Sequence, residues 1–349
     1  MKTVLRTQSE SVGSRSMNSV LVAVSIIASV FLVGPTAHAT TPGENGRIVF
    51  RRYFDVAHHW GALFSIEPDG TDERQITHPK QNVLDDYPDV SPNGRWIVYA
   101  RRWQLRRTAY GDPRGALFRI RMNGTDRESL TGTTCRPEDD CVRDLNPNWS
   151  PDGRRIAFSR VFRSETREWE IDLFVMRSDG THLHQITTPG PLFEDYAPEW
   201  SPDGTRLVFF RWNPDRGLHA LFTVDPDGSN LERLTSWRLN PAQGDDWSPD
   251  GRWIVFGAAP EGQTFNLRMI HPNGTGLRRL TFSSEKDWLG SSFSPDGHWI
   301  VAGRTGGVGE DGNADLFVML LDGSQRLNIT GTDLWDSAPD WGPRPAYAP

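Results

Sequence analysis

Sulfur, long apolar runs and excess positive charge are all scarce in this chain of 349 residues. There are two cysteines, Cys135 and Cys141, and no histidine lies near them, so they make a poor zinc site. With 36% hydrophobic residues the chain is too polar for a polytopic membrane protein. Lys and Arg number 38 against 45 Asp and Glu, a net charge of −7, which argues against nucleic acid as the main partner. No Gly-x-Ser-x-Gly occurs, so a nucleophile elbow is missing. No His-Glu-x-x-His occurs either. Asp311, Asn313 and Asp315 open like a calcium loop, but Leu316 stands where Gly is needed and Asp322 where Glu is needed. The reading therefore expects no metal, no cofactor and no catalytic residue. Carboxylates are abundant, so paired acid/base catalysis stays open on spacing alone.

What is plentiful is aromatic and turn-forming residues: 14 Trp, 17 Phe, 33 Gly and 25 Pro. So many aromatics exclude a disordered chain. So much Gly and Pro excludes long helices. The first segment reads as separate from the fold. Lys2, Arg6 and Arg15 precede an apolar run, Val20 to Val33, and then Ala37-His38-Ala39, the layout of a cleavable secretory signal over 1–39. No twin Arg precedes the run, which points to the general secretory route. An uncleaved anchor is the alternative. An exported chain meets an oxidising compartment, where Cys135 and Cys141 can close a small loop as a disulfide.

The remainder, 40–349, is repetitive. Trp-Ser-Pro-Asp-Gly or a variant occurs at Val90–Gly94, Trp149–Gly153, Trp200–Gly204, Trp247–Gly251 and Phe293–Gly297, with a degenerate copy at Trp341. Asp/Asn-Gly-Thr/Ser begins at Asp69, Asn123, Asp179, Asp227, Asn273 and Asp322. An Ile/Leu-Thr pair ends at Thr77, Thr131, Thr187, Thr235, Thr281 and Thr330, seven residues after each of those glycines. Each repeat reads as four short strands. Strand A ends at the Trp motif, as in Ala197–Ser201, and a tight turn leads into strand B, as in Arg206–Arg211. Strand C, as in Ala220–Asp225, ends at the Asp-Gly hairpin signal, and strand D ends at the Thr. The chain after the signal starts on a strand B, Arg47–Arg52, and finishes on a strand A, Ala338–Trp341. Pairing the two completes a sixth unit and removes the open sheet edges at the seam. The expectation is an all-β, six-bladed β-propeller, one domain, with four antiparallel strands per blade. An open β-solenoid is the alternative architecture.

Antiparallel order puts both tight turns on one face and the long B–C and D–A connections on the other, where binding residues usually sit. Strand B ends on Arg52, Arg101, Arg160, Arg211 and Arg304, with Ala258 in the remaining repeat, and Asp85, Asp144, Asp195 and Asp336 precede strand A. These are expected as charged rings at the channel mouth. Their repetition favours mutual pairing over a ligand role, and as solvated pairs each would add about 0–1 kcal/mol. The unrepeated residues His58, His59, Trp60, Trp103, Tyr110, Trp169, Trp212, Trp288 and Trp335 are candidates for an aromatic binding face. His58 and His59 are adjacent, so in a strand they would face opposite sides and chelate poorly.

Trp149-Ser-Pro-Asp-Gly-Arg-Arg-Ile-Ala-Phe-Ser-Arg160 and Trp200–Arg211 resemble the unit of the TolB-type six-bladed propeller family, and the resemblance covers about residues 46–342. It implies a periplasmic or secreted, non-enzymatic scaffold that engages a protein or peptide partner of the cell envelope, with no stable membrane insertion after signal cleavage, as a monomer. TolB has an α/β domain before its propeller, whereas here strand B is expected right after the signal, so recruitment through that domain is not carried over. Related propellers include oligosaccharide lyases, so a glycan-acting enzyme or glycan-binding protein using channel carboxylates and Arg is the alternative.

Overall fold

Segments rich in β-branched and aromatic residues pair as strands throughout the computed structural model, which describes residues 42–55, 60–103, 115–132, 143–162, 170–188, 190, 193–305 and 313–346. In chain order the strands are β1 (Asn45–Tyr53), β2 (Gly61–Ile66), β3 (Arg74–Gln75), β4 (Val83–Val90), β5 (Trp96–Trp103), β6 (Gly115–Arg121), β7 (Glu128–Ser129) and β8 (Arg143–Trp149). They continue as β9 (Arg155–Phe162), β10 (Glu170–Arg177), β11 (His184–Gln185), β12 (Glu194–Trp200), β13 (Leu207–Asn213), β14 (Leu218–Val224), β15 (Glu232–Arg233) and β16 (Pro241–Trp247). The last are β17 (Ile254–Ala258), β18 (Asn266–Ile270), β19 (Arg278–Arg279), β20 (Trp288–Phe293), β21 (Trp299–Thr305), β22 (Ala314–Leu320), β23 (Leu327–Asn328) and β24 (Trp335–Pro343). Pairing is antiparallel in sets of four such as β4–β7, β12–β15 and β16–β19. At the seam β24 pairs with β1, with Arg52 opposite Asp336. The fold is all-β and propeller-like.

The repeated motifs have local causes. In Trp200-Ser-Pro-Asp-Gly, Ser201 Oγ donates to Asp203 Oδ1 at 2.6 Å and accepts the Arg206 N–H at 2.9 Å, while Asp203 Oδ1 also accepts the Thr205 N–H. Gly204 closes the turn at φ 68°, a backbone region that side chains disfavour. The Asp-Gly-Thr turns are built the same way, with Asp69 Oδ1 accepting both the Thr71 N–H and the Thr71 hydroxyl.

The D strands are shorter than expected. β3 covers Arg74–Gln75 and stops before Thr77. There the ladder is continued by a side chain: Thr77 Oγ1 accepts the Leu63 N–H at 3.0 Å. Thr131, Thr187, Thr235, Thr281 and Thr330 do the same for Leu117, Leu173, Leu221, Leu267 and Leu316. Because Leu221 is fully buried, its N–H has no water to turn to. Thr235→Val should therefore cost about 1–3 kcal/mol, the penalty of an orphaned buried donor. Urea denaturation measures it; a cost indistinguishable from zero would mean the Leu221 N–H finds another acceptor.

Alternation sends neighbouring side chains of one strand into different cores. Ile48 and Phe50 of β1 pack with Val301, Leu316 and Val318, whereas Val49 packs with Ile97, Tyr99 and Ala116. The apolar clusters thus lie between neighbouring sets. The first strands of the sets line a central channel, and each contacts the next, β24 included with β4.

Candidate functional site

The channel is shaped by a bulge repeated in its lining strands. Three residues before each motif Trp, or the Val or Phe in its place, the backbone turns left-handed: Tyr87, Asn146, Ala197, Gly244, Gly290 and Ala338 have φ between 49° and 95°. The strand registers slip at the same places, as between Asp86 and Asp89 or Leu145 and Asn148. The bulges aim the following side chains along the channel. The cavity they enclose is about 360 Å³ and includes Asp89, Glu199, Asp245, Asp246 and Asp340.

In five of the six copies, Glu199 being the exception, the side chain just before the motif Trp, or the Val or Phe in its place, joins one strand to the next. Asp340 Oδ2 accepts the Val90 N–H at 2.7 Å, Asp89 Oδ2 the Trp149 N–H at 2.6 Å, and Asn148 Oδ1 the Trp200 N–H at 2.9 Å. Asp246 and Ser292 hold the Phe293 and Trp341 N–H groups in the same way. The sequence carries a signal for this, since every copy of that position bears a hydrogen-bond acceptor, but sequence reasoning missed it.

The crowding has an electrostatic cost. Burial, then the charge of Asp340, holds the Asp89 carboxyl well above the usual carboxylate range. Burial followed by Asp89 and Asp245 does the same to Glu199. Burial also raises Asp245, and it lifts Asp340 to about 6. Among the described residues no three His, Cys, Asp or Glu side chains form a group able to hold a metal ion.

The expected charged rings are pairs within the sets. Arg52 meets Asp336, Arg101 meets Asp85 and Arg211 meets Asp195 at 2.6 Å, and Arg160 meets Asp144 at 2.7 Å. In each the Asp is fully buried, so the magnitude for solvated pairs does not apply. Each Arg also lies over an aromatic ring of strand C, as Arg211 does over Phe222 at 4.7 Å. Of these residues Asp336 borders the channel cavity. Arg304 differs: it faces Trp288 across the ladder and lies 5.6 Å from its ring.

A second cavity, about 420 Å³, opens at the end of the strands that bears the long connections. Tyr196, Trp212 and His219 wall one side, and Arg102 and Arg143 stand in the lining. Trp212 and His219 rings are 4.5 Å apart, and His219 meets Tyr196 edge-on at 5.6 Å. Burial lowers the His219 pKa, which favours the neutral imidazole. Arg102 pairs with Asp86, which Arg51 also holds. Burial opposes the Asp86 charge, but Arg51 and Arg102 win and keep its pKa low.

The aromatic candidates are dispersed. Trp212 walls the mouth cavity and Trp335 borders the channel. Trp60 packs its own loop, edge-on to Phe54 at 4.9 Å, and Trp103 leans on Phe118. Trp288 is 1% exposed beneath Phe317 and Arg304, which places it in the core and not on a surface. His58, His59, Tyr110, Trp169, Cys135 and Cys141 lie outside the described residues.

Comparison with known proteins agrees with this architecture. An uncharacterized protein of Agrobacterium fabrum is 28% identical over 159 residues, 44% of this chain and 47% of that protein. Dipeptidyl-peptidase 5 of Porphyromonas endodontalis is 31% identical over 121 residues, 34% of this chain and 15% of the peptidase. The matches thus span about half or less of those relatives. The crystal structure of TolB from Acinetobacter baumannii superimposes with a TM-score of 0.64 at 20% identity, over 87% of this chain and 68% of that one, a likeness of fold. The model of the TolB beta propeller domain matches residues 142–345, more than half of the sequence, and the chain belongs to the TolB β-propeller family.

Proposed function

We propose that this chain is an exported, six-bladed propeller of one domain that binds a protein or peptide of the cell envelope, without catalysis, at the long-connection end of its channel. Closure of the ring is supported by counting interfaces. Among the described residues the pairings make six sets of strands, and six apolar clusters lie between them, whereas an open row of six sets would have five. Export rests on the basic, apolar and Ala-x-Ala segments of 1–39, removed as a signal. No helix among the described residues is long and apolar enough to cross a membrane.

One observation carries the choice of face. At the turn end the motif side chains are committed to their own turns, as Ser201 and Asp203 are. At the other end a cavity opens whose lining combines Trp212, Tyr196 and His219 with Arg102 and Arg143. Aromatic and Arg side chains around a concavity are the usual anchors of protein recognition. Crosslinking in the native envelope followed by mass spectrometry should recover a protein partner, and alanine at Trp212 together with Trp103 should release it. Retention of every partner by that double variant would place the contact elsewhere.

A further inference from the structure

The mouth cavity holds a cation that makes no ion pair among the described residues. Arg143 opens β8, and its Nε is buried without a hydrogen-bond partner among the described residues. Four of the five repeated Arg residues at the ends of the B strands are different, since Arg52, Arg101, Arg160 and Arg211 each grip a carboxylate through two nitrogens, whereas Arg304 shares the orphaned Nε but is packed on Trp288. A second cation stands nearby. The registers put Arg102 opposite Gly115 and Gly115 beside Arg143. Gly115 has no side chain to fill the space between them, and a methyl there would come within 2.6 Å of Arg143 Cγ. Arg102 shares the fully buried Asp86 with Arg51, and the cavity lining itself carries Arg102 and Arg143 with one carboxylate, Glu194.

We propose that this cavity is a carboxylate subsite that takes an acidic side chain of a bound peptide. Arg143 supplies the pairing cation, and Arg102 adds positive field. The wall of Tyr196, Trp212 and His219 receives the apolar or aromatic neighbour of that side chain. A guanidinium in a partly dry cavity pairs with a carboxylate far better than an exposed one does. An unpaired cation costs the folded chain stability, which is the pattern of a group held for a ligand. The proposal rests on the peptide-binding reading and specifies the chemistry of its anchor.

The test is isothermal titration of the full exported chain with acetyl-Phe-Glu-amide, its Gln counterpart and digalacturonate. The Glu peptide should bind at least about tenfold more tightly than the Gln peptide, the worth of one charge-assisted contact. In Arg143→Met that ratio should fall to about one, and in Gly115→Ala it should shrink because the Arg stem is displaced. The melting midpoint of Arg143→Met should stay level or rise. A clear drop would make Arg143 a structural cation and overturn the proposal. Equal binding of both peptides to both proteins would also overturn it, while leaving the peptide-binding reading intact. Binding of digalacturonate alone, dependent on Arg143, would replace it with an acidic glycan site. No binding of any probe would overturn the subsite, and recovery of a partner by crosslinking would then show separately whether the broader reading survives.

Discussion

Asp85→Ala should destabilise the protein by about 3–5 kcal/mol at neutral pH, because it strands a buried guanidinium. Arg101 Nε and Nη2 donate to the two Asp85 oxygens at 2.6 and 2.8 Å, and the carboxylate has no exposed surface. The Arg101 side chain is 9% exposed and lies 5.4 Å from the Phe118 ring centroid. Without Asp85 that face offers π-electron density but no counter-charge, and little water can enter. The predicted loss is a large part of the roughly 5–15 kcal/mol that holds an ordinary domain together. Two controls locate the cause. Replacing both partners, Asp85→Leu with Arg101→Met, should recover most of the loss, since neither charge then needs desolvation. Breaking the exposed pair Arg121–Asp126, whose side chains are 43% and 57% exposed, should change stability by no more than about 1 kcal/mol. Guanidinium chloride midpoints at constant slope provide the measurement. An Asp85→Ala loss as small as that of the exposed pair would mean the carboxylate is hydrated after all.

The contrast between these pairs shows where reading the chain succeeds. Spacing alone placed Arg101 and Asp85 at the same end of neighbouring strands, and the structure sets them directly opposite each other. Burial was not legible, because it depends on the rings of the next strand and on the bulge that turns the inner strand. The turn motifs were legible because their causes are local: Ser201, Asp203 and Gly204 need nothing beyond their own turn. Trp288 misled because an unrepeated Trp looks like a surface anchor. In fact it occupies the site across from Arg304 that a carboxylate takes in other sets. Arg143 gave no sign at all, since its neighbours Arg102 and Gly115 come from other strands and meet it only across the ladder.

Stability should also fall as pH rises from about 4 to 6 and beyond, and Asp340→Asn should flatten that decline. The sign follows from which state holds more protons. The native Asp340 carboxyl keeps its proton up to about 6, whereas its reference value is 3.8. Between those values the unfolded chain has released a proton that the native chain retains, so raising the pH favours unfolding. The stabilisation is complete below the unfolded value and is gone above the folded one. About two units at 1.36 kcal/mol each make roughly 3 kcal/mol from this group. Asp89, Glu199 and Asp245 are raised too and extend the decline upward. Below about 4 the order reverses, because Asp86, held low despite burial by Arg51 and Arg102, must then be protonated. Stability should therefore peak on the acid side of neutrality. The substitution is well chosen because the fold already uses it two sets further along, at position 148. Asn148 accepts the Trp200 N–H at 2.9 Å through Oδ1 and donates Nδ2 to Asp89 at 3.0 Å. At position 340 the amide would keep the Val90 N–H and turn its donor toward Ser292 Oγ, which now lies 3.3 Å from Asp340 Oδ1. Asp340→Asn should match the parent at pH 4 and exceed it at pH 8 by up to about 3 kcal/mol. Urea titrations at pH 4, 6 and 8 decide it: equal stability of the two proteins at pH 8 would mean that Asp340 is ionised there without penalty and that the channel is wet enough to solvate it.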